Sequence, residues 1–394
     1  MEFRLLGSLV DRKIGYGIVQ PGQSVGGGVP VIKVNNLIIG LKSVNDLDTT
    51  SAETAAKYTR TKLKGGELIV SVVGTIGKTA IAPASFAGCN LVRATALIDI
   101  PDQWLSYWVK YYIDSPAGQA YINQNLNTTV QPTLNIKSLV EMPIPFFDEP
   151  NMKRAVEFLK NIDDCITNNN RINDNLQEQA QTLFAERFCL RNSDPVPEGW
   201  SLVSLGDIAV ISNKSFNPLK QPETMLEHYS IPAFDEKRYP VFELSTEIKS
   251  NKFIVDSDCF MISKLNPTTK RVWRPYCMTE NAVCSTEFIV YKAKARELTD
   301  FLYSLIDSAS FSDFMCSHVT GSTGSRQRTT PSDTLQYQFY MPTVDEIADF
   351  SAVVAPMYAQ IRINALENAR LKGLRDSLLP RLMSGDVDVS EVSI

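Results

Sequence analysis

The chain repeats short motifs at an interval of about half its length. Two halves that agree at their ends but differ in their middles indicate one scaffold carrying two different recognition surfaces. This organisation favours a binding protein over an enzyme. The offset between matching residues is 199 at first and 195 later, and the matches are Leu6-Gly7-Ser8-Leu9 with Leu205-Gly206-Asp207-Ile208, Met142-Pro143 with Met341-Pro342, Asn169 with Asn364, Asn173 with Asn368, Leu176 with Leu371, and Leu183-Phe184 with Leu378-Leu379.

Length and composition are those of a folded chain with more than one core. A chain of 394 residues suits two domains, and its 44% hydrophobic and 21% charged residues are typical of globular proteins. The sequence has neither a signal-peptide pattern at its start nor a run of ~20 apolar residues, so we expect a cytoplasmic protein without membrane contact. Seven scattered cysteines and two histidines predict no disulfide framework, no metal site and no cofactor held by this chain.

Each half begins with short strands and loops and continues with helices, which predicts the α/β class. Strand-like runs occur at 67–73 and 260–263, and helix-like spacing occurs at 104–113 and 298–306. Each of these helices leads into an Ile-Asp-Ser tripeptide, at 113–115 and 306–308. The sequence is therefore divided into a first lobe (1–147), a central helix (148–191), a second lobe (192–344) and a C-terminal helix and tail (345–394).

Each half closes with a long helix whose apolar residues recur at spacings of three and four, as in a coiled coil. A single amphipathic helix on a globular core gives a similar stripe. Buried asparagines that meet one another fix the register of paired helices, so asparagines at matching positions favour two helices packed antiparallel on each other. The stripes contain Leu159, Ile162, Ile166, Asn169, Asn173, Leu176, Ala180 and Leu183 in the first helix and Ile347, Phe350, Val354, Met357, Ile361, Asn364, Asn368, Leu371, Arg375, Leu378 and Leu382 in the second.

A glycine-rich segment in the first lobe, 64–78, predicts two strands joined by a tight turn. Its Gly74-Thr75-Ile76-Gly77-Lys78-Thr79 is not a nucleotide-binding P-loop, because Val72 stands where that motif needs glycine. A lysine and a threonine on an exposed turn suit phosphate contact, and a solvated hairpin tip is the alternative. The counterpart in the second lobe, 264–274, has four positive charges and no acid.

Charge and side-chain type indicate further candidates for DNA contact. The net charge is −5, but the first lobe has 13 Lys and Arg against 10 Asp and Glu, and the second has 15 against 18, so a DNA surface there must be a local patch. Arginine bonds guanine bidentately, and Asn and Gln bond adenine; the sequence alone does not separate base readers from phosphate contacts or solvated charges. The candidates are Asn35, Asn36, Lys57, Arg60, Lys62, Lys64, Thr75 and Lys78 in the first lobe and Lys264, Lys270, Arg271, Arg274, Arg326, Gln327 and Arg328 in the second.

The sequence offers no convincing active site. An adenine methyltransferase needs an Asn/Asp-Pro-Pro-aromatic motif, which Asn217-Pro-Leu and Asn266-Pro-Thr do not match. A metal-dependent nuclease needs a carboxylate followed by Asp/Glu-x-Lys, and the only similar tripeptides, 235–237 and 11–13, are of a kind common by chance. The chain is therefore predicted to have no catalytic residues.

Several runs resemble the specificity subunits of type I restriction-modification enzymes, and the similarity covers nearly the whole chain. One departure is that the family's proline-rich turn ending in Glu-Gln is here 145–150, with only 341–346 in the second half. The runs that carry the resemblance are Leu374-Arg-Asp-Ser-Leu-Leu-Pro-Arg-Leu-Met-Ser-Gly-Asp-Val-Asp-Val389, Asn169-Asn-Arg-Ile-Asn-Asp-Asn-Leu-Gln-Glu-Gln-Ala-Gln-Thr-Leu-Phe184, Pro195-Val-Pro-Glu-Gly-Trp200 and Met142-Pro-Ile-Pro145.

The resemblance implies two target recognition domains, each followed by a conserved helix, with the helices packed as an antiparallel coiled-coil spacer and the whole related by an internal pseudo-twofold duplication. Such a subunit reads a bipartite site in double-stranded DNA and docks two methyltransferase subunits and motor/nuclease subunits. S-adenosylmethionine, ATP and magnesium are then expected on the partner subunits. The alternatives are a recognition subunit of a related two-sided cutting system and a coiled-coil scaffold without DNA readout.

Overall fold

The computed structural model describes residues 1–127, 132–190, 194–320 and 327–387. The chain forms two compact units: unit 1 is Met1–Ile166 together with the chain from Arg370 onwards, and unit 2 is Thr167–Ala369. The division falls inside the two long helices, whereas the sequence division had boundaries at residues 147, 191 and 344. Each long helix therefore contributes to both units.

Unit 1 contains short strands and helices followed by the first part of a long helix. Its helices are α1 (Val34–Ile39), α2 (Ala52–Ala56), α3 (Gln103–Asp114), α4 (Pro116–Gln124), α5 (Ile136–Val140) and the long α6 (Glu149–Phe188). Its strands are β1 (Glu2–Leu5), β2 (Arg12–Tyr16), β3 (Val29–Ile32), β4 (Asp48–Thr50), β5 (Leu68–Ser71), β6 (Thr79–Ile81), β7 (Asn90–Leu91), β8 (Thr95–Asp99), β9 (Leu126–Asn127), β10 (Thr133–Leu134) and β11 (Pro143–Phe146).

Unit 2 follows the same plan. Its helices are α7 (Leu205–Ile208), α8 (Ile231–Lys237), α9 (Thr299–Ile306), α10 (Ala309–Ser317), α11 (Pro331–Thr334) and the long α12 (Val344–Ser384). Its strands are β12 (Ser201–Ser204), β13 (Ala209–Ile211), β14 (Ser215–Phe216), β15 (Met225–Tyr229), β16 (Val241–Leu244), β17 (Lys252–Ile254), β18 (Cys259–Ser263), β19 (Val272–Trp273), β20 (Ala282–Ser285), β21 (Phe288–Ala293), β22 (Val319–Thr320), β23 (Arg328–Thr329) and β24 (Gln338–Met341).

The central sheet has the same strand order in both units. It is antiparallel, in the order β2-β8-β5-β6 in unit 1 and β13-β21-β18-β19 in unit 2. A second sheet is β4-β3-β7 in unit 1 and the larger β14-β17-β20-β15-β16 in unit 2, and each contains one parallel pair, β3 with β7 and β15 with β20. The predicted α/β class and the internal duplication are confirmed.

The middle strand β5 is buried on both faces, which explains its unbroken apolar sequence. Successive side chains of a strand point to opposite faces. Leu68 and Val70 accordingly pack in the core that contains Trp108 of α3, while Ile69 packs in a separate core with Phe86. The matching strand β18 alternates in the same way between two cores of unit 2.

The backbone hydrogen bonds correct one match of the sequence repeat. Leu6 donates its N–H to the carbonyl of Met142 at 2.9 Å, and Leu205 donates to Tyr337 at 2.8 Å. Met142 therefore corresponds to Tyr337, at an offset of 195, and its pairing with Met341 is wrong. A Met-Pro dipeptide matched by coincidence, whereas ladder hydrogen bonds decide the register.

The two long helices are continuous over 40 residues in α6 and 41 in α12. Pro356 and Pro380 lie inside α12 at exposed positions. Proline has no N–H to donate, so each leaves one helical carbonyl without its usual partner, and solvent can take the donor's place. Within the described ranges no helix is long and apolar enough to cross a membrane.

Five asparagines join α6 to α12 in unit 2. The side-chain amide of Asn169 donates to the carbonyl oxygen of Asn368 at 3.0 Å, and that of Asn364 donates to Asn173 at 2.8 Å. Asn368 also donates to Asn170 at 2.9 Å. Because residue numbers rise along one helix as they fall along the other, the helices are antiparallel, and the four asparagines of the predicted seam lie in it.

In unit 1 the two helices are held together by charge and apolar contact. Arg375 of α12 donates to a carboxylate oxygen of Asp163 in α6 at 2.8 Å. Leu159 of α6 and Leu379 of α12 belong to one apolar core that also contains the buried residues of the central sheet. The core of the first lobe therefore includes side chains from the end of the described chain.

The asparagine seam predicts a specific pattern of stability changes. Asn364→Ala should lower the free energy of unfolding by about 1 to 3 kcal/mol, because it leaves the half-buried side-chain carbonyl of Asn173 without its donor. Replacing both Asn173 and Asn364 with leucine should cost less, since no polar group is left unpaired. Urea unfolding of the full chain measures both, with exposed Asn168→Ala as the matched control, which should change stability by less than about 0.5 kcal/mol. A smaller loss for Asn364→Ala than for the control would contradict the assignment.

Candidate nucleic-acid interface

The glycine-rich segment of the first lobe forms a tight turn, Gly74–Lys78, hereafter the first turn. Gly74 and Gly77 have φ angles of 78° and 79°, which favour glycine. The turn is closed by the hydroxyl of Ser71, which accepts the N–H of Lys78 at 2.8 Å. Thr75 and Lys78 are exposed at its tip. The structure thus presents both candidates to solvent, where a phosphate can reach them.

Two short paired strands lie beside the first turn in the first lobe and beside the 264–274 segment in the second. They are β9 with β10 and β22 with β23. In the first lobe β10 pairs with Val73 through Thr133, next to the first turn. In the second lobe Leu265 pairs with Arg328 of β23, and Asn266 donates its N–H to the carbonyl of Gln327 at 2.9 Å. The 264–274 segment therefore lies beside the candidates Gln327 and Arg328.

A second basic feature of the first lobe, Arg60–Lys64, is hereafter the basic segment. The guanidinium of Arg12 donates to the carbonyls of Lys62 at 3.0 Å and Arg60 at 3.3 Å. The same guanidinium donates to carboxylates of Glu67 at 2.6 Å and Asp99 at 2.5 Å. Arg12 therefore fixes the backbone of the basic segment to the central sheet.

Buried Glu67 holds the far end of the basic segment. Its carboxylate accepts the backbone N–H groups of Lys64 at 2.7 Å and Gly65 at 2.8 Å. The side chains of Arg60, Lys62 and Lys64 are exposed. Among the described residues no carboxylate oxygen lies within 4.0 Å of Arg60 or Lys62, whereas Lys64 lies 3.6 Å from Asp99. The basic segment thus presents two unpaired cations on a fixed backbone.

The other candidates of the first lobe have local partners. Asn36 caps its own helix α1, because its side-chain carbonyl accepts the N–H of Lys33 at 2.7 Å. Lys57 pairs with Glu53 one helical turn away at 3.0 Å. Asn35 is exposed on α1. The cap gives Asn36 a structural role, and an exposed ion pair such as that of Lys57 is worth only about 0 to 1 kcal/mol and does not prevent another contact.

In the second lobe, three cations of the 264–274 segment lie in ion pairs within the fold. The sequence did not reveal these ion pairs, because the segment itself contains no acid and the acidic partners lie on other elements. The pairs are Lys270 with Asp307 at 2.9 Å, Arg271 with Asp235 at 2.6 Å and Arg274 with Asp300 at 2.5 Å. Arg271 is only 12% exposed, so its two bonds to Asp235 make it a structural residue first.

Arg328 forms a bidentate pair with Glu287, at 2.9 and 3.0 Å. These hydrogen bonds raise the pKa of Arg328 and occupy the face that a guanine would bind. The side chains of Arg328 and Glu287 are 42% and 28% exposed, so breaking their ion pair costs little free energy when Arg328 contacts DNA instead. Lys264 is half-buried, and among the described residues no carboxylate lies within 4.0 Å of its ammonium group. Arg326 lies outside the described residues.

Sequence reasoning missed Arg12 and Glu67. Arg12 was considered only as part of a nuclease-like tripeptide, although its four acceptors lie 48 to 87 positions away. The only local signal for Glu67 was an acid beside Gly65 and Gly66, both of which have positive φ angles. Long-range polar contacts of this kind leave no pattern in the sequence.

Comparison with known proteins shows similarity to one class of protein. A family model described as the type I restriction modification DNA specificity domain matches residues 2–178. The specificity subunit of type I restriction enzyme EcoBI from Escherichia coli is 29% identical over 187 residues, which cover 45% of this chain and 38% of that protein. In that alignment the chain spans less than half of its relative's length. The specificity subunit of MjaIX from Methanocaldococcus jannaschii is 22% identical over 415 residues, covering 94% of this chain and 92% of that subunit.

A solved structure has the same fold. The type I restriction-modification S subunit from M. genitalium aligns with 96% of this chain and 95% of its own length, with a TM-score of 0.54 and 14% identity. At that identity the likeness concerns the fold alone. The family model covers a little less than half of the chain, and with the two relatives it shows that this chain is similar to the specificity subunits of type I restriction-modification enzymes.

Proposed function

We propose that this chain is the DNA-recognition subunit of a type I restriction-modification complex, in which each lobe reads one half of a bipartite site in double-stranded DNA. The observation that carries the proposal is the repetition of one strand order in two units whose candidate surfaces differ. A protein that reads two different half-sequences needs one scaffold twice, with different side chains on it. A single active site has no such requirement.

The two lobes differ in how they would meet phosphates. In the first lobe, no carboxylate oxygen of the described residues lies within 4.0 Å of the exposed cations Arg60, Lys62 and Lys78. The second has cations that are mostly paired with acids of the same lobe. Phosphate contact dominates affinity, and base contact decides sequence. We therefore assign more of the salt-dependent affinity to the first lobe.

Catalysis and its cofactors belong, on this proposal, to other subunits. The partners are two methyltransferase subunits and motor/nuclease subunits, which would bind S-adenosylmethionine, ATP and magnesium. Among the described residues no group of three or more His, Cys, Asp or Glu side chains is arranged to hold a metal ion. Work on chromosomal DNA would take place in the cytoplasm.

Of two other functions, a scaffold fits the structure less well, whereas a related recognition subunit would use the same surfaces. A coiled-coil scaffold accounts for the paired long helices but not for two lobes with exposed, divergent turns. A recognition subunit of a two-sided cutting system would use the same lobes and helices and would differ in its partners. Purifying the complex from its host and identifying the bound subunits distinguishes a two-sided cutting system from a type I restriction-modification complex.

The first test concerns phosphate contact. Lys62→Ala and Lys78→Ala should each weaken binding to all DNA sequences and lower the slope of log K against log salt by about 1, the change expected for one lost phosphate contact. The measurement is a salt titration of duplex binding by the complex with its methyltransferase. Exposed Lys137→Ala is the matched control and should leave the slope unchanged. An unchanged slope in both test variants would exclude these lysines from the interface.

The second test concerns the long helices as a ruler. At ~1.5 Å per residue, four residues inserted after Asn170 in α6 and four after Glu367 in α12 lengthen the pair by about 6 Å, or about 2 base pairs. The unread middle of the site should lengthen while both half-sequences stay the same. The readout is the methylome of cells that carry the variant.

The ruler test has an internal control. Inserting four residues in α6 alone moves Asn173 away from Asn364 when Asn169 stays paired with Asn368, so that variant should lose stability rather than gain a longer site. A double insertion that changes the half-sequences, and not their separation, would refute the ruler.

The third test concerns catalysis. The purified chain alone should transfer no methyl group from S-adenosylmethionine to DNA, and the complex with its methyltransferase should methylate adenine. Radiolabelled methyl transfer to host DNA is the measurement. Transfer by the isolated chain at a rate comparable to the complex would overturn the assignment of a recognition subunit.

A further inference from the structure

The Ile-Asp-Ser tripeptide that occurs in both lobes has a structural role for two of its three residues. Ile113 and Ile306 are completely buried. Ser115 caps α4 by accepting the N–H of Gly118 at 3.2 Å, and Ser308 caps α10 by accepting that of Phe311 at 3.2 Å. Core packing and capping account for isoleucine and serine but not for the aspartate between them.

In the first lobe the aspartate of the tripeptide connects the first turn to the long helix. Asp114 accepts the hydroxyl of Thr79, the residue that follows the first turn, at 2.6 Å. Its other oxygen accepts from Lys110 at 2.9 Å, and Lys110 also lies 3.7 Å from a carboxylate oxygen of Asp163 in α6. Burial disfavours the charged ammonium, but Asp114 and Asp163 more than compensate, so the pKa of Lys110 is raised.

A second set of bonds reinforces this connection. Tyr111 donates to Asp163 at 2.9 Å, one residue from Lys110 along α3. Gln119 of α4 donates to the carbonyl of Gly77 at 3.1 Å, and a side chain at Gly77 would collide with it. The first turn is thus attached to the helices behind it on both of its sides.

In the second lobe the corresponding aspartate makes the same connection with different side chains. Asp307 accepts Lys270, at the end of the turn Asn266–Lys270, at 2.9 Å through its carboxylate and at 2.8 Å through its backbone carbonyl. Its other carboxylate oxygen accepts the amide of Gln177, in α6, at 2.7 Å. Asp307 is buried, so these partners satisfy it in place of water.

We propose that Asp114 and Asp307 are positioning residues that hold the DNA-facing turn of each lobe at a set place against α6, and so set how well that lobe distinguishes its half-site. This inference rests on the proposed function. A base-reading side chain must be placed to within a fraction of an ångström, and a turn on a mobile loop gives poor discrimination. Two unrelated sets of partners at equivalent positions indicate that the connection itself matters.

An asparagine at either position weakens the connection with almost no change in volume, because it removes the negative charge that strengthens the hydrogen bond from lysine. A carboxylate accepts on both of its oxygens, whereas an amide accepts on one and donates on the other. Asp307→Asn therefore cannot accept from both Lys270 and Gln177, and Asp114→Asn cannot accept from both Thr79 and Lys110. Each variant removes one negative charge.

The experiment uses the full chain in complex with its methyltransferase. The recognition sequence is read first from the methylome of the host. Binding constants are then measured for duplexes with both half-sites intact, with the first scrambled and with the second scrambled. The ratio of affinities, intact over scrambled, measures discrimination at each half. We expect Asp114→Asn to lower the ratio for one half-site about tenfold, the scale of one charge-assisted hydrogen bond, and Asp307→Asn to lower the ratio for the other half-site alone.

The controls are Asp102→Asn, at the opposite end of α3 from Asp114, and Asp313→Asn, on α10. Both side chains are exposed, and each substitution changes the net charge by the same amount as the test variants. They should leave both ratios unchanged. Thr79→Val removes the hydroxyl that donates to Asp114 and should lower the same ratio as Asp114→Asn. It keeps the test valid if Asp114→Asn folds poorly.

The outcomes separate this inference from the proposed function. A loss of stability alone lowers binding to every duplex equally and leaves both ratios unchanged, and that result would overturn the positioning role. Equal lowering of both ratios by either variant would also overturn it. If the unsubstituted complex does not distinguish intact from scrambled duplexes, the proposed function fails, and the positioning role fails with it.

Discussion

Each lobe completes its hydrophobic core with side chains from both long helices. In unit 1, Leu159 of α6 and Leu379 of α12 belong to the core of the central sheet. In unit 2, Phe184 of α6 and Phe350 of α12 lie with ring centroids 5.8 Å apart in a core shared with Phe301. Neither lobe is therefore a self-contained stretch of sequence. The core of the first lobe includes side chains of α12, although the strands and short helices of that lobe lie within residues 1–147.

Because both cores need side chains from both long helices, the relative register of the helices matters, and the polar contacts between them fix it. Apolar packing is tolerant of small shifts along a helix, because leucine and isoleucine pack adequately in several registers. An amide that must meet another amide is not tolerant, since a shift of one turn leaves buried donors and acceptors unpaired. The asparagine pairs of unit 2 and the Asp163–Arg375 pair of unit 1 thus set the register that the apolar cores leave loose.

The same division between tolerance and precision applies to the candidate DNA surface. Exposed cations such as Lys62 and Lys78 need only reach a phosphate. The residues behind them are fixed by several acceptors each: Arg12 has four partners, and Asp307 joins a turn to a helix. On the proposed function, affinity for DNA in general comes from the exposed charges, whereas discrimination between sequences depends on the buried polar groups that hold the turns.

The sequence by itself determined the duplication, the α/β class, the strands at 67–73 and 260–263, the helices α3 and α9, and the seam asparagines. These features follow from local pattern, since periodicity and repeated motifs are properties of neighbouring residues. It also predicted exposure for the first turn, because two glycines with a lysine suit a tight turn. Only the tertiary structure decided that Met142 and Tyr337 occupy equivalent positions. It also decided the ion pairs of Lys270, Arg271 and Arg274 and the contacts of Arg12, Asp114 and Asp307. Most of the partners lie tens of positions or more away, and the free energy of such contacts depends on distance and burial in three dimensions, which a linear pattern does not encode.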